Sequence, residues 1–317
     1  MTNDREKRKY VRLLVIFSVI VSLGMIVWGY FESTEVAPYE VAREDIVYIS
    51  SAEQLNTLTE AIYNDECYLT EDIEITDPTT TIGTDEYPFS GIFDGNGHTI
   101  YLSYTAVEKN ISLFGKIAEG AVIKNVNFVI NSMVVSENIG LIARLNEGTI
   151  SNCTVTFSDL QISAPNAISP FVSANKGVIS NVYAKGKFVN RGVNKEDEKK
   201  TATAAICIYN WGTVKNSIVE VEYSGFLSTD KQAVFDGMCS NDSMAAIVCS
   251  NVGEGAAENN RAIVSNKTYL VDNSIEFISA ENRNDIFEET MVFKTLDFDN
   301  RYWTLINKTL KLILAEG

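Results

Sequence analysis

The chain has 317 residues, of which 45% are hydrophobic and 21% charged, a composition that fits one large globular domain or two ordinary ones. Its formal net charge of −16 excludes the basic footprint that nucleic-acid binding requires. Because His98 is the single histidine, zinc sites with several histidine ligands and proton relays between two histidines are excluded as well.

The N-terminal segment has the pattern of a membrane anchor. Basic residues outnumber acidic ones in residues 1–12, and residues 13–31 form an uncharged apolar run long enough to span a bilayer as a helix. This charge bias predicts a cytoplasmic N-terminus, a linker at 32–48 and an extracellular domain at 49–317. A cleaved signal peptide is the alternative, although its apolar core is usually shorter. We therefore expect a single-pass protein of the cell membrane, bound to the bilayer through its N-terminal helix.

A short helix is predicted at residues 51–64. Ser50 is its expected N-cap, and Glu53, three residues later, is the other half of a capping box. A row of apolar residues that begins at Leu55 marks the buried face. We expect this helix to cover the N-terminal end of the domain, where unpaired strand edges would otherwise favour aggregation.

A tight turn is predicted at four consecutive residues, Asp94, Gly95, Asn96 and Gly97, because glycine and asparagine accept the backbone conformations of tight turns. An EF-hand calcium loop is the alternative for this segment. The twelfth position of such a loop would be Thr105, which offers no carboxylate. His98 follows the turn and is interpreted as a structural residue of it.

Four copies of a repeat follow, within about residues 112–225. Three of them read Asn-x-Gly-x-(Ile/Val)-x-Asn, and the first copy has one extra residue. The glycine and the final asparagine of each copy are Gly120 and Asn125, Gly148 and Asn152, Gly177 and Asn181, and Gly212 and Asn216. A fifth copy at 245–253 is weaker, and its downstream half is not recognisable.

Alternating apolar and polar residues follow each final asparagine, which is the period of a half-buried strand. The final asparagines are 27, 29 and 35 residues apart. A unit of this size, with two short strands and tight turns, cannot bury its apolar side alone, so successive units must stack. The sequence therefore predicts an all-β parallel solenoid and not a propeller, whose blades need about four strands each.

Distinct roles are predicted for the two repeated residue types. We expect the final asparagines to point into one shared inner corner of the stack and to bond with backbone groups there. We expect the glycines to supply the positive φ angles of the turns.

The repeats resemble the GLUG motif of bacterial surface proteins, and residues 82–100 look like the first-coil signature that introduces such repeats. The resemblance runs from about residue 49 to residue 225. It implies a right-handed, pectin-lyase-like parallel β-helix on an exported chain. The family is a scaffold used in adhesin-like and protease-associated surface proteins, so the resemblance implies the fold more firmly than the function.

The remaining segments complete a capped solenoid. Stretches at about 190–203 and 226–244 are predicted insertions that project from the stack as contact surfaces, and residues 293–314 are predicted to be closing strands. Most aromatic residues of the repeats lie at inward positions. The exceptions, with the potential to face outward and stack on a glycan, are Tyr183, Tyr209 and Trp211.

Motifs for catalysis, cofactors and metals are absent from the sequence. The acidic residues do not show the spacing of a known catalytic pair, and the five cysteines include no Cys-x-x-Cys. No glycine-rich phosphate loop with a lysine occurs. We therefore expect no cofactor, no metal and no enzymatic activity.

The functional hypothesis is a membrane-anchored, non-enzymatic scaffold for adhesion or cell-envelope interaction, with a glycan or a surface protein as its partner and no nucleic acid. A polysaccharide lyase or glycoside hydrolase on the same fold is the first alternative. A structural subunit of a cell-envelope complex is the second.

Overall fold

The computed structural model describes residues 46–56, 65–77, 81–107, 112–135, 139–162, 167–190, 202–224, 245–265, 276–278 and 283–313. Contacts divide the chain into Met1–Ala42 and Arg43–Gly317, and every described residue belongs to the second unit. The predicted segments 1–12 and 13–31 lie outside the described residues, as do most of the linker, the insertion at 226–244 and nearly all of the insertion at 190–203.

The described residues are mostly strands. In chain order these are β1 Ile46–Ile49, β2 Glu66–Leu69, β3 Ile73–Ile75, β4 Ile92–Asp94, β5 Thr99–Leu102, β6 Ala106–Val107, β7 Phe114–Ile117, β8 Val122–Lys124, β9 Asn127–Ile130, β10 Met133–Val135, β11 Ile139–Gly140, β12 Ala143–Asn146, β13 Thr149–Ile162, β14 Ala167–Ser169, β15 Val172–Asn175, β16 Val178–Asn190, β17 Ala202–Thr203, β18 Cys207–Asn210, β19 Thr213–Lys215, β20 Ile218–Ser224, β21 Val248–Asn251, β22 Ala256–Glu258, β23 Arg261–Ser265, β24 Glu276–Ile278, β25 Trp303–Ile306 and β26 Thr309–Leu312. The helical elements are short, namely α1 Ala52–Asn56, α2 Arg283–Ile286 and a π-helix at Thr290–Thr295.

These strands form three parallel sheets and one antiparallel hairpin. The largest sheet has sixteen strands, and its main path runs β1-β2-β4-β8-β13-β16-β20-β23-β24. A second sheet has five strands in the order β21-β18-β15-β12-β7, and a third consists of β11, β14 and β17. The hairpin of β25 and β26 stands apart from them. The predicted all-β, parallel class is therefore confirmed, and we call the three parallel sheets the parallel stack.

One apolar core joins the sheets of the parallel stack. Phenylalanines are the largest of its fully buried side chains, and at inward positions of successive strands aromatic rings meet one another. The rings of Phe157 and Phe188 lie 4.9 Å apart, and Phe188 stacks on Tyr223 at 5.2 Å. This continuous core ties each repeat to the next along the whole length of the stack.

Successive repeats pair in register. Thr149 is paired with Val178, Val178 with Thr213, and Thr213 with Ala256. Equivalent positions of neighbouring repeats therefore lie one strand spacing apart, about 4.8 Å, and each position of the repeat forms a row that crosses the stack.

The fifth repeat is more complete than the sequence indicated. Its strands β22 and β23 pair with β19 and β20 of the fourth repeat. Asn259 has the left-handed φ of a final asparagine, at 51°. Eight positions separate Asn251 from Asn259, against six between Asn210 and Asn216. This longer turn hid the repeat from the sequence pattern.

The turn residues differ from their predicted roles. Left-handed φ angles of 51° to 56° occur at the final asparagines, Asn125, Asn152, Asn181 and Asn216, whereas Gly120 alone of the four repeat glycines has a positive φ, at 83°. The other three glycines are required because any side chain there would collide with the backbone of the preceding repeat. A Cβ on Gly177 would lie 2.0 Å from the carbonyl oxygen of Gly148, and one on Gly212 would lie 2.1 Å from that of Gly177. Glycine thus permits close backbone stacking, and asparagine makes the turn.

The internal asparagine column consists of the first asparagines of the repeats, not the final ones. Asn146, Asn175 and Asn210 are fully buried. The Nδ2 group of Asn146 donates to Oδ1 of Asn175 at 2.7 Å, and the same bond joins Asn175 to Asn210 at 2.8 Å. A further bond joins Asn210 to Asn251 at 2.8 Å. A ladder of identical amides gives each buried donor and acceptor a partner from the next repeat.

The N-terminal end differs from the prediction in two details. Strand β1, at Ile46–Ile49, begins within the predicted linker, which was expected to end at residue 48, and pairs with β2. The N-cap of α1 is Ser51, whose Oγ accepts a bond from the backbone N–H of Gln54 at 3.2 Å, and not Ser50 with Glu53. The side chain of Gln54 reaches back and accepts from the backbone N–H of Ser50, the residue before the N-cap, at 2.7 Å, so Gln54 takes the part that was predicted for Glu53.

The predicted closing strands at 293–314 are correct only for the hairpin of β25 and β26. The preceding residues form the π-helix, and the hairpin is antiparallel, so neither extends the parallel stack. The buried residues of this segment form a cluster with Tyr183, Ile218 and Ile263 of the large sheet. They therefore pack against the side of the stack.

The predicted localisation in a membrane is corrected. Among the residues that the structure describes, no helix is both long enough and apolar enough to cross a membrane, which contradicts the single-pass prediction. The proposed anchor itself, residues 13–31, lies outside those residues. The cytoplasmic and extracellular assignments of the two ends depended on that anchor and are dropped with it.

The asparagine ladder gives a first testable prediction. Asn175→Ala leaves the side-chain Nδ2 of Asn146 and the side-chain Oδ1 of Asn210 without their partners in the ladder. We therefore expect a loss of about 2–4 kcal/mol in the free energy of unfolding. Asn216→Gly is the control, because glycine keeps the left-handed backbone of this final asparagine and the variant gives up an exposed bond from Nδ2 of Asn259, which keeps its bond to the carbonyl of Thr295, so it should cost less than about 1 kcal/mol. Chemical denaturation of the two variants measures both values, and equal losses would contradict the assignment of the inner column.

Close stacking at the glycines gives a second prediction. Gly177→Ala forces a Cβ against the backbone of the preceding repeat, so we expect a destabilisation of about 2–4 kcal/mol. Gly120→Asn is the matched change at the repeat glycine where a Cβ would meet no atom within 4 Å. Since asparagine tolerates the left-handed conformation, this variant should lose less than about 1 kcal/mol. Thermal unfolding separates the two, and a stable Gly177→Ala variant would overturn the spatial argument.

Candidate binding surface

The predicted turn at 94–97 joins the first coil to the first repeat. Asp94 Oδ1 accepts from the backbone N–H of Asn96 at 2.9 Å and from Nδ2 of Asn125 at 3.0 Å. Its Oδ2 lies 3.2 Å from Nζ of Lys124. Positive φ angles of 54° at Asn96 and 82° at Gly97 close the turn. The bond to Asn96 and the two φ angles shape the turn, while the contacts with Lys124 and Asn125 tie the turn to the first repeat, so Asp94 has a structural role.

Two of the final asparagines, Asn152 and Asn181, hold the C-terminal segment, which we define as residues 283–313. Nδ2 of Asn181 donates to the carbonyls of Leu296 and Asp297 at 3.2 and 2.9 Å. Oδ1 of Asn152 accepts from Nε1 of Trp303 at 3.1 Å. Sequence reasoning placed these asparagines inside the stack, but their left-handed backbone turns the amides towards this segment.

A buried cluster around Glu220 fixes the same segment. The Glu220 carboxylate accepts from Nε and Nη2 of Arg283 at 2.7 and 2.9 Å and from the hydroxyl of Tyr183. Burial would raise the pKa of Glu220, but the hydrogen bonds from Arg283 and Tyr183 outweigh it and hold the pKa below its usual value. The pKa of Tyr183 is raised by burial and by the neighbouring carboxylate. The carboxylate is thus ionised and fully engaged.

This cluster gives a third prediction, for the stability of the C-terminal segment. A carboxylate with a lowered pKa stabilises the folded state above its unfolded pKa, and this contribution is lost as the pH falls through the folded value. Below about pH 4 the wild-type segment should therefore loosen. Glu220→Gln should loosen it already at pH 7, by about 2 kcal/mol, because the half-buried Arg283 loses its charged partner.

Amide hydrogen exchange of β25 and β26 between pH 3 and pH 8 measures this effect. Asp299→Asn is the control, since Asp299 also has a lowered pKa, set by the hydrogen bond from Arg301, but is paired within the segment itself. We expect no change of exchange for this variant at pH 7. Equal exchange in wild type and Glu220→Gln would exclude the proposed role of Glu220.

Two buried thiols are chemically quiet. Burial raises the pKa of Cys153 and of Cys67 to about 12, so both remain protonated at neutral pH and are poor nucleophiles. Across the described ranges, no group of three or more His, Cys, Asp or Glu side chains is arranged to hold a metal ion. His98 lies with its Nδ1 at 3.4 Å from Oδ1 of Asp72.

A different part of the stack carries exposed aromatic and charged side chains. Two rows lie side by side here, one across the outer side of the five-stranded sheet and one at the turn residues directly after its strands. The first follows the strand register through Lys116, Leu145, Ala174 and Tyr209. The second occupies the position after the ladder asparagines and consists of Glu147, Lys176 and Trp211. We call these seven residues the Trp211 surface.

Ion pairs order the first half of the Trp211 surface. Glu147 lies between two lysines, with Oε1 at 3.0 Å from Nζ of Lys176 and Oε2 at 3.1 Å from Nζ of Lys116. The hydrogen bonds from Lys176 and Lys116 lower the pKa of Glu147. The three side chains therefore hold one another in place and carry a net charge of about +1 at neutral pH.

Aromatic side chains complete the second half. Trp211 is 42% exposed, a large fraction for tryptophan. Its ring lies 6.1 Å from that of Tyr209, with a 40° angle between the planes. Of the three aromatics predicted to have the potential to face outward, Tyr183 is instead covered, since its ring packs edge-on against Phe287 at 5.7 Å. An accessible indole beside fixed charges is suited to stacking on a ligand and orienting it.

Sequence comparison does not assign the chain to a family. No protein-family model matches it. Over 84 residues the chain is 31% identical to Halomucin of Haloquadratum walsbyi, a match that covers 25% of this chain and 1% of Halomucin. The chain thus spans a very small part of that relative's length.

Structural comparison finds a similar fold. One similar structure is that of a Bacteroides ovatus protein, whose crystal structure at 1.30 Å carries the provisional description of an immunoglobulin A1 protease. The TM-score is 0.50, the sequence identity is 15%, and the alignment covers 85% of this chain and 92% of that chain. At this identity the likeness concerns the fold alone.

Proposed function

We propose that the chain is a right-handed parallel β-helix of the GLUG-repeat type that acts as a non-enzymatic binding scaffold, as adhesin-like proteins do. The in-register rows, the buried asparagine ladder and the glycine contacts between repeats support the solenoid part of this proposal. A rigid stack of this kind holds side chains of successive repeats at fixed spacing, which suits extended ligands.

The observation that carries the binding part is the Trp211 surface. Its charged side chains are ordered by ion pairs before any ligand arrives, and its largest aromatic side chain is exposed beside them. Such preorganisation lowers the entropy that binding must overcome.

The chemistry of the Glu220 cluster favours binding over the lyase or hydrolase alternative. There an acid, an arginine, a tyrosine and, at 3.8 Å, Lys185 converge on the side of the stack. A catalytic carboxylate needs to be accessible to a substrate and poised near the working pH. Glu220 is instead buried under the C-terminal segment and occupied by three hydrogen bonds.

Arrays test the proposed function directly, as a fourth prediction. The full-length chain, labelled at its N-terminus, is applied to a glycan array and a protein array, and the same preparation is incubated with the polysaccharides that bind. We expect retention on one ligand class with no release of shortened or unsaturated products. Release of such products would establish the enzymatic alternative, and the absence of retention on both arrays would refute the scaffold proposal.

A further inference from the structure

We infer that the Trp211 surface binds an acidic pyranose polysaccharide, with one sugar ring stacked on the indole of Trp211 and a ring carboxylate held by Lys176. This inference rests on the proposed function and names its ligand class. Three features of the surface lead to it, namely the placement of Trp211 next to Lys176, the charge around Glu147 and the small residue at position 174.

Placement follows from the register of the repeats. The backbone N–H of Lys176 donates to the carbonyl of Asn146, and that of Trp211 donates to the carbonyl of Asn175, so the two residues occupy the same position in neighbouring repeats. Their Cα atoms are then about 4.8 Å apart. The Lys176 side chain is 52% exposed, and its Nζ meets Glu147 on this side of the sheet. A ligand on the indole therefore comes within reach of the ammonium group.

Charge selects an acidic ligand over a neutral one. The whole chain carries −16, so anions are repelled from most of its surface. At the Trp211 surface two ammonium groups share one carboxylate, which leaves one positive charge next to the aromatic pair. A further cation on this sheet, Arg144, is paired with Asp85 at 2.6 Å and adds no net charge. The surface is thus a locally attractive place for a carboxylate.

The shape of the first row favours a ligand with a sugar ring. Ala174 has the smallest side chain of its row and lies between Leu145 and Tyr209, which are two strand spacings or about 9.6 Å apart. The row is therefore recessed at Ala174, with an apolar wall on one side and an aromatic wall on the other. The apolar face of a pyranose stacks on aromatic side chains, while its substituents point sideways to polar groups. Lys176 stands at the side of this recess.

Matched acidic and neutral glycans test the inference, as a fifth prediction. The probes are hexasaccharides of hyaluronan, chondroitin and alginate, each beside its carboxyl-reduced form, which keeps the rings and removes the charge. We expect the full-length chain to bind at least one acidic member about tenfold more tightly than its reduced form. Affinity should fall with salt over the range of 0.05 to 0.5 M, because the contact is between exposed charges.

Variants assign the binding to these residues. Trp211→Ala should weaken binding by about tenfold or more, as removal of an aromatic anchor does. Lys176→Ala should weaken it by about threefold and flatten the salt dependence. Glu147→Gln should strengthen it by about twofold to threefold, because the two lysines then keep both positive charges. Tyr48→Ala is the control, since Tyr48 is 63% exposed and its ring lies 6.2 Å from that of Tyr68, at a 38° tilt, elsewhere in the chain. It should leave binding unchanged.

The outcomes separate this inference from the proposed function. If Trp211→Ala binds the array as well as the wild type does, the assignment of binding to the Trp211 surface is wrong, while the proposed scaffold function is unaffected. Equal binding of acidic and carboxyl-reduced glycans, or weaker binding by Glu147→Gln, would overturn the acidic ligand class. Absence of any glycan or protein binding would remove both proposals. Circular dichroism melting of each variant tests whether these substitutions of partly exposed side chains leave the fold intact.

Discussion

Close backbone contact between successive repeats is the constraint on which the rest of the structure depends. The carbonyl of Gly148 occupies the space that a Cβ of Gly177 would need, and the ladder bond from Asn146 to Asn175 crosses the same two repeats two residues earlier. The register between successive repeats is therefore set both by steric exclusion at the glycines and by hydrogen bonding between the asparagines. A slip of one residue would place a side chain where only a hydrogen atom fits and would also leave buried amides unpaired.

Fixed register turns every outward position into a row, and the composition of each row decides what happens to that side of the stack. In the sixteen-stranded sheet, outward Tyr183, Ile218 and Ile263 form an apolar patch. Exposed patches of this kind favour association, and here the C-terminal segment covers it. The five-stranded sheet presents Lys116 and Tyr209 with smaller residues between them, and Trp211 beside them remains exposed. The same in-register stacking thus gives an apolar patch that the C-terminal segment covers and the Trp211 surface, which stays exposed.

The sequence pattern predicts the parallel class because a two-strand repeat of this length has few other ways to bury its apolar side. It does not distinguish the two asparagines of the motif, since both flank the same turn and only the backbone φ separates the ladder residue Asn175 from the turn residue Asn181. The docking of the C-terminal segment is also invisible, because the Trp303–Asn152 contact joins residues 151 positions apart. The Trp211 surface could have been found, since Lys176 and Trp211 each follow a ladder asparagine directly.

The position directly after each ladder asparagine explains how a uniform stack can carry a surface of its own composition. The residue between the ladder asparagine and the glycine points outward, and neither the ladder nor the glycine contact restricts its side chain. Glu147, Lys176 and Trp211 fill it with an anion, a cation and an aromatic ring in three consecutive repeats. Because the asparagine and glycine on either side hold the backbone, these side chains can differ without a change of fold. The proposed binding residues Lys176 and Trp211 thus lie at a turn position whose side chain the stacking of repeats does not constrain.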